Sequence, residues 1–217
     1  MIKRKFFIHC YIADGWREIY NEIVSNIPKD NTQIVSVISG DVVPSGVENG
    51  TLLNNTQRNQ WEFPTLALLR EDCLKKENEM VDYYYLHLKG ITHRHIPSVQ
   101  SWRKMMLYFL TRNVEENSLL LNAYDALGCN FCPTNNIGNG THFSGNFWAT
   151  RQKHVSKLVD LDTAAMKYGR LGAEFWIGER QDAAKYFSFH LSQVNHYTIN
   201  YSSDRYIETS DFNVYEV

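Results

Sequence analysis

Tyr83-Tyr-Tyr-Leu-His-Leu-Lys-Gly90 is the stretch that decides the fold. A β-prone aromatic run ends abruptly in polar residues and a glycine, which is how a buried strand reads when it delivers polar groups at its carboxyl end. Open α/β sheets build ligand sites in this way. Two further segments share the character. His142-Phe-Ser-Gly-Asn-Phe-Trp148 sets a small Ser-Gly step between large aromatics, suited to close backbone approach by a ligand. Ala173-Glu-Phe-Trp-Ile-Gly178 combines one carboxylate with two large rings.

Outward from the central stretch, strands and helices alternate. A strand is expected over 5–12 and a helix over 16–24, with apolar spacing at Trp16, Ile19, Tyr20 and Ile23. A β-branched strand follows at 33–38, then a long polar loop over 40–56. Pro64 opens a helix reaching about 76, and the central strand occupies 80–88. After a loop at 91–98, Ser98 caps a helix over 99–112, and a second helix over 115–123 presents Leu119, Leu120 and Ala123. A strand at 126–131, a loop at 133–140, a strand at 142–149 and a helix at 152–158 come next. A short helix over 174–179 and one or two strands within 186–201 complete the pattern. The alternation predicts one α/β domain over 1–217, a Rossmann-like mixed central sheet flanked by helices.

The composition, 43% apolar and 21% charged, is that of a globular chain. A net charge of −2 gives no electrostatic footprint for nucleic acid or an anionic membrane. The apolar run after Met1 is too short for a signal peptide and carries His9 and Tyr11. No stretch is long enough for a transmembrane segment, so a cytoplasmic protein is expected and the sequons at Asn54 and Asn139 read as chance matches. Cys129-Asn-Phe-Cys132 has metal or redox spacing but no two further ligands nearby. All four cysteines, Cys10, Cys73, Cys129 and Cys132, are expected as buried free thiols. His93 and His95, alternate histidines without a third ligand beside them, read as solvated.

The ordered set Trp61-Glu-Phe-Pro-Thr-Leu66, Tyr84-Tyr-Leu-His-Leu-Lys-Gly90, Trp102-Arg103, Tyr124-Asp-Ala-Leu-Gly128, His142-Phe-Ser-Gly-Asn-Phe-Trp148 and Ala173-Glu-Phe-Trp-Ile177 resembles small glycosyltransferases of large DNA viruses and bacterial surface-polysaccharide loci. The resemblance runs from about residue 1 to 180. It implies a GT-A-like fold, a nucleotide-sugar donor (a UDP-sugar ahead of a GDP-sugar) and a glycan or glycoprotein acceptor. It further implies that His9 and Tyr11 hold the donor's base, ribose or phosphate; the alternative for both is core packing with satisfied polar tips.

Such folds normally end the middle strand in Asp-x-Asp, which binds Mn²⁺ or Mg²⁺ through hard oxygens. Here the position reads His87-Leu88-Lys89-Gly90. The departure leaves metal dependence open, with Mn²⁺ or Mg²⁺ still allowed. Alternation puts His87 and Lys89 on one side of the strand, where Lys89 would neutralise the departing diphosphate and Gly90 would let phosphate approach. Arg94 and Arg103 would add positive charge. His142 would reach the diphosphate, while Ser144, Gly145, Asn146, Trp148 and Trp176 would line the sugar and acceptor. Glu174, desolvated by Phe175 and Trp176, is the candidate base, with Glu179, Asp125 and Asp182 as alternatives. A catalytically silent carbohydrate- or nucleotide-sugar-binding protein on the same fold is the rival reading. A nucleotidyltransferase would want a glycine-rich loop that 12–16 does not supply.

Overall fold

β1 (Arg4–Tyr11) and β2 (Thr32–Ser39) pair in parallel along their whole length, with α1 (Trp16–Asn26) as the crossover. The computed structural model describes residues 2–58, 60–78, 80–134, 140–180 and 182–207, together with the backbone of 213–216. After β2 come β3 (Gly50–Leu52), α2 (Asn55–Arg58), α3 (Phe63–Cys73) and β4 (Asp82–His87). Then follow α4 (Pro97–Thr111), α5 (Val114–Leu120), β5 (Ala126–Gly128), β6 (Phe131–Cys132), β7 (His142–Phe143) and β8 (Trp148–Thr150). The chain ends with α6 (Gln152–Val155), α7 (Leu161–Tyr168), α8 (Gly172–Phe175), β9 (Lys185–Ser188) and β10 (Asn213–Glu216).

The main sheet has eight strands in the order β10-β9-β5-β8-β4-β1-β2-β3, and β6 pairs with β7 in a separate ribbon. β3, β2, β1 and β4 run parallel, whereas β8 is antiparallel to both β4 and β5. The sheet is therefore mixed, with helices on both faces. Phe6, Ile8, Cys10, Tyr84 and Leu86 face α1 and α4; Phe7, Tyr83, Tyr85 and Trp148 face α3 and α6–α8. Parallel strands buried on both faces read as continuous apolar runs, which is why Tyr83, Tyr84 and Tyr85 can stand in sequence. Phe6 stacks on its register partner Tyr84 at 4.2 Å between ring centroids. Among the described residues no helix is long and apolar enough to cross a membrane.

The chain runs outward from β1 to β3 and then returns to lay β4 on β1's other side. Strand order reverses there, and such a reversal opens a crevice outside the carboxyl ends of the two strands. At the opposite end of β4, wholly buried Asp82 accepts from Arg151 Nε at 2.5 Å and from the Ser118 hydroxyl. Arg151 also donates to the Asn122 side chain at 2.7 Å and to the Ser118 carbonyl at 2.8 Å.

Several expected elements differ. The strand over 142–149 is two short strands separated by a turn: Gly145 takes φ +95° and Asn146 donates back to the Phe143 carbonyl at 2.9 Å. That is the geometry of a turn needing positive φ at its third residue, hence the glycine. The strand over 126–131 breaks where Asn130 takes φ +52°. Ser98 does not cap α4, which starts at Pro97 with Ile96 before it. Asn113 caps α5 by accepting from Glu116 N, so the buried face falls on Val114, Asn117 and Ser118 and leaves Leu119 70% exposed. Within 186–201 the one described strand is β9, and most of the 133–140 loop lies outside the described residues. All four cysteines are free; Cys132 is only partly buried, unlike the other three.

Candidate functional site

The β1–β4 tips gather side chains from four directions. His9 and His87 are register partners on the face covered by α3. From α3, Thr65 meets His9 Nδ1 at 2.8 Å, and Glu62, the residue before the helix, brings Oε1 to 3.4 Å from His87 Nδ1. The other His87 nitrogen, Nε2, lies 3.0 Å from the Gly145 carbonyl, which the tight turn turns toward it. Asn146, also on that turn, donates to Glu62 Oε2 at 3.4 Å and to the Ala173 carbonyl at 3.3 Å. Its own oxygen accepts from Trp148 Nε1 at 2.9 Å.

Burial holds both imidazoles neutral. Desolvation lowers His9 to about 4 against the raising charge of Glu62. Desolvation and then the Lys89 ammonium lower His87 to about 4. Beneath them lies Tyr85, wholly buried, whose hydroxyl has no hydrogen-bond partner among the described residues. Burial pushes that phenol's pKa well up, and the charges of Glu62 and Glu174 push it further.

Lys89 does not continue the strand's alternation. A tight turn, with Lys89 N donating to the His87 carbonyl at 2.6 Å, ends β4. The Lys89 ammonium sits 4.2 Å over the ring of Trp102 and 5.6 Å from that of Tyr197, with no ion-pair partner among the described residues. Trp102 belongs to α4 on the other face, so His87 and Lys89 flank the strand tip from opposite layers. A cation on an aromatic face gains about 0.5–2 kcal/mol, a weak hold that an anion can replace. Gly90, at φ +87°, would bring a Cβ within 2.8 Å of Val99; its freedom serves the packing of the turn against α4.

Other expected site residues are placed differently. Trp148 and Trp176 are 0% exposed, so neither offers an open face. Trp148 stacks on Tyr85 at 5.1 Å, and Trp176 donates to the Val159 carbonyl at 2.9 Å. Phe175 is also buried, against His142 at 4.8 Å, so the two rings beside Glu174 point inward and leave the carboxylate half-exposed. Tyr11 is open to solvent at 48% exposure, whereas His9 is buried. His142 is held by the Gly140 carbonyl at 2.8 Å, and burial lowers its pKa. Ser144 is partly open at the corner of the turn. Arg103 is committed to Glu22 at 2.9 Å and to the Lys89 carbonyl at 2.8 Å, and Arg94 pairs with Asp14.

Glu179 is tied to Lys167 and Tyr168, and Asp125 and Asp182 to Arg180, whereas Glu62 lies 3.4 Å from His87 and the charge of Glu174 acts on the same ring. Glu62, Tyr85 and Trp102 fall within the motifs quoted from the sequence but carry no assigned role there, and Tyr197 lies outside them. An acidic residue just ahead of Pro64 was the one local signal for Glu62, and it reads equally as a favourable charge at a helix start. Its carboxylate makes no capping bond.

A family model described as a domain of unknown function (DUF8361) matches residues 15–202. The chain belongs to the DUF8361 family. The matched region of this DUF8361 chain includes every site residue above except His9 and Tyr11. No curated protein and no solved structure matches it.

At the β4 tip this DUF8361 chain offers an imidazole, an ammonium and the Glu62 carboxylate, where a hard divalent cation calls for several oxygens and no nearby positive charge. Among the described residues no group of three or more His, Cys, Asp or Glu is placed to hold a metal ion. That donor set does not fit a metal beneath a diphosphate.

Proposed function

We propose that this domain transfers a sugar from a nucleoside diphosphate donor to a hydroxyl of a glycan or glycoprotein, on a GT-A-like variant of the mixed α/β sheet. One observation carries the reading: the Lys89 ammonium, free of any described ion-pair partner, stands at the β1–β4 crevice across the strand tip from two carboxylates. Glycosyl transfer asks for this division. Negative charge grows on the departing diphosphate and needs a cation, while the attacking hydroxyl needs a proton acceptor. Tyr11, open at the end of β1, offers a face to the donor base, with a UDP-sugar favoured over a GDP-sugar. Ser144 and Asn146 border the sugar, and Glu174 and Glu62 are the carboxylates available to the acceptor. The four free thiols fit a reducing compartment, and we assign the reaction to the cytoplasm.

A thermal-shift panel of UDP-, GDP-, CMP- and dTDP-sugars, with and without Mn²⁺, tests the donor. One member at about 100 times its Kd should stabilise the fold by about 2.7 kcal/mol. Adding a glycan acceptor should then release the nucleoside diphosphate. Binding without release supports the silent binding protein instead, and a panel with neither shift nor release sinks the reading.

A further inference from the structure

The hydrogen-bond pattern around His87 lacks one proton. The Gly145 carbonyl can only accept, so its 3.0 Å contact assigns the imidazole proton to Nε2. Burial and the Lys89 charge keep the ring neutral near pH 7, which leaves Nδ1 a bare lone pair. That lone pair faces the carboxylate oxygen Oε1 of Glu62 at 3.4 Å. Two acceptors confront each other in a largely buried setting. The wholly buried Tyr85 hydroxyl beneath them has no described partner and is under the charge of both Glu62 and Glu174. Buried polar groups are almost always satisfied, so one buried hydroxyl without a described partner, beside two facing acceptors, calls for a ligand group that both donates and accepts. A hydroxyl is such a group.

We propose that Glu62 and His87 jointly accept the proton of the incoming glycan hydroxyl, with Tyr85 donating to that hydroxyl from the floor of the site. This role rests on the glycosyl-transfer reading above. The hydroxyl oxygen bonds to the anomeric carbon as the bond from that carbon to the diphosphate breaks. The bonding pair leaves with the diphosphate toward Lys89. The hydroxyl proton comes to rest between Glu62 Oε1 and His87 Nδ1, turning facing lone pairs into a hydrogen bond. Glu174, without a described hydrogen bond of its own, contacts other hydroxyls of the acceptor.

The charged and titratable groups facing His87 are Glu62 ahead of α3, His9 on β1, Lys89 beyond β4, Arg103 on α4 and Glu174 on α8. Lys89 is second only to burial in lowering the His87 pKa. A bound diphosphate offsets that charge, so donor binding strengthens the base before the acceptor arrives.

Two measurements need no substrate. In ¹⁵N-histidine spectra at pH 7, His87 should be neutral and protonated at Nε2; an Nδ1-protonated or cationic ring overturns the proposal. Glu62→Gln supplies an amide N–H to the Nδ1 lone pair, so its melting temperature should rise by about 2–4 °C; a melting temperature below wild type overturns it. With substrates, Glu62→Gln should lower kcat by about 100-fold or more while the donor-induced thermal shift persists. Glu174→Gln should act mainly on acceptor KM. A kcat for Glu62→Gln within about threefold of wild type, or a larger kcat loss in Glu174→Gln, overturns the assignment. A wild type that turns over no sugar nucleotide defeats the transfer reading and this role together, even with the histidine pattern intact.

Discussion

The two ends of β4 are built on opposite principles. At its amino end, Asp82 meets Arg151 and Ser118, and Arg151 spends its remaining donors on Asn122 and the Ser118 carbonyl. Asp82 and Arg151 are fully engaged there, although the buried Nε of Arg4, the register partner of Asp82, has no hydrogen-bond partner among the described residues. At its carboxyl end, five residues later, His87 and Glu62 face each other acceptor to acceptor, the Tyr85 hydroxyl is unmatched, and Lys89 rests on a ring in place of an anion. A strand rigid enough to carry unsatisfied groups at one end must be anchored at the other. The first end holds the fold; the second is the end to which we assign the site.

The sharpest way to break this comparison is to open the satisfied end. Asp82→Ala leaves the Arg151 guanidinium buried without its carboxylate, and losing one partner of a buried pair costs about 3–5 kcal/mol. The melting temperature should fall by roughly 10 °C or more. A fall of under about 3 °C would mean the anchor is weaker than its geometry implies. Lys89→Ala should do the reverse. On the transfer reading proposed above, losing this charge raises the barrier by about 3 kcal/mol, about a 100-fold loss of kcat, while the melting temperature stays within about 3 °C of wild type. Sugar transfer at near wild-type rate in that variant would remove Lys89 from the chemistry.

The sheet was more legible in sequence than either end of β4, and no local pattern marks the Asp82–Arg151 anchor. The expected strands over 5–12, 33–38 and 80–88 lie within two residues of β1, β2 and β4 at each end, because strands buried on both faces leave unbroken apolar runs. The site was legible only in part. His87 and Lys89 were singled out, yet their relation was misjudged, because alternation holds only while the strand continues and a tight turn ends it at His87. The sequence allows Trp148 either as an apolar platform or as a buried tryptophan and suggests Trp176 for the site wall, and both fill the core; an indole reads the same in sequence whether it lines a pocket or fills a core. Helix α7 went unread although Asp160 caps it by accepting from Thr163 N at 2.8 Å. His196, stacked on Trp102 at 4.9 Å, depends on a return of the chain from 94 residues away, which no local pattern encodes.

The smallest effect gives the finest comparison, because it lies within one face of one strand. Tyr83 and Tyr85 are both wholly buried and both face α3. The Tyr83 hydroxyl donates to Asp72 at 2.7 Å, and the Tyr85 hydroxyl has no described partner. Removing an oxygen that makes a hydrogen bond to a carboxylate costs about 1.5–3 kcal/mol, less what solvent screening takes from the partly exposed Asp72, so Tyr83→Phe should destabilise the fold by about 1 kcal/mol. Removing an oxygen that makes none relieves a desolvated group, so Tyr85→Phe should be neutral or stabilising by up to about 1 kcal/mol. Urea melts with unchanged slopes give both values on one scale. If the two variants lost equal stability, the Tyr85 hydroxyl would already be satisfied in the folded chain, and the β4 tip would be no less complete than its anchor. If Tyr85→Phe instead kept its stability while acceptor KM rose, that hydroxyl would be held in reserve for substrate.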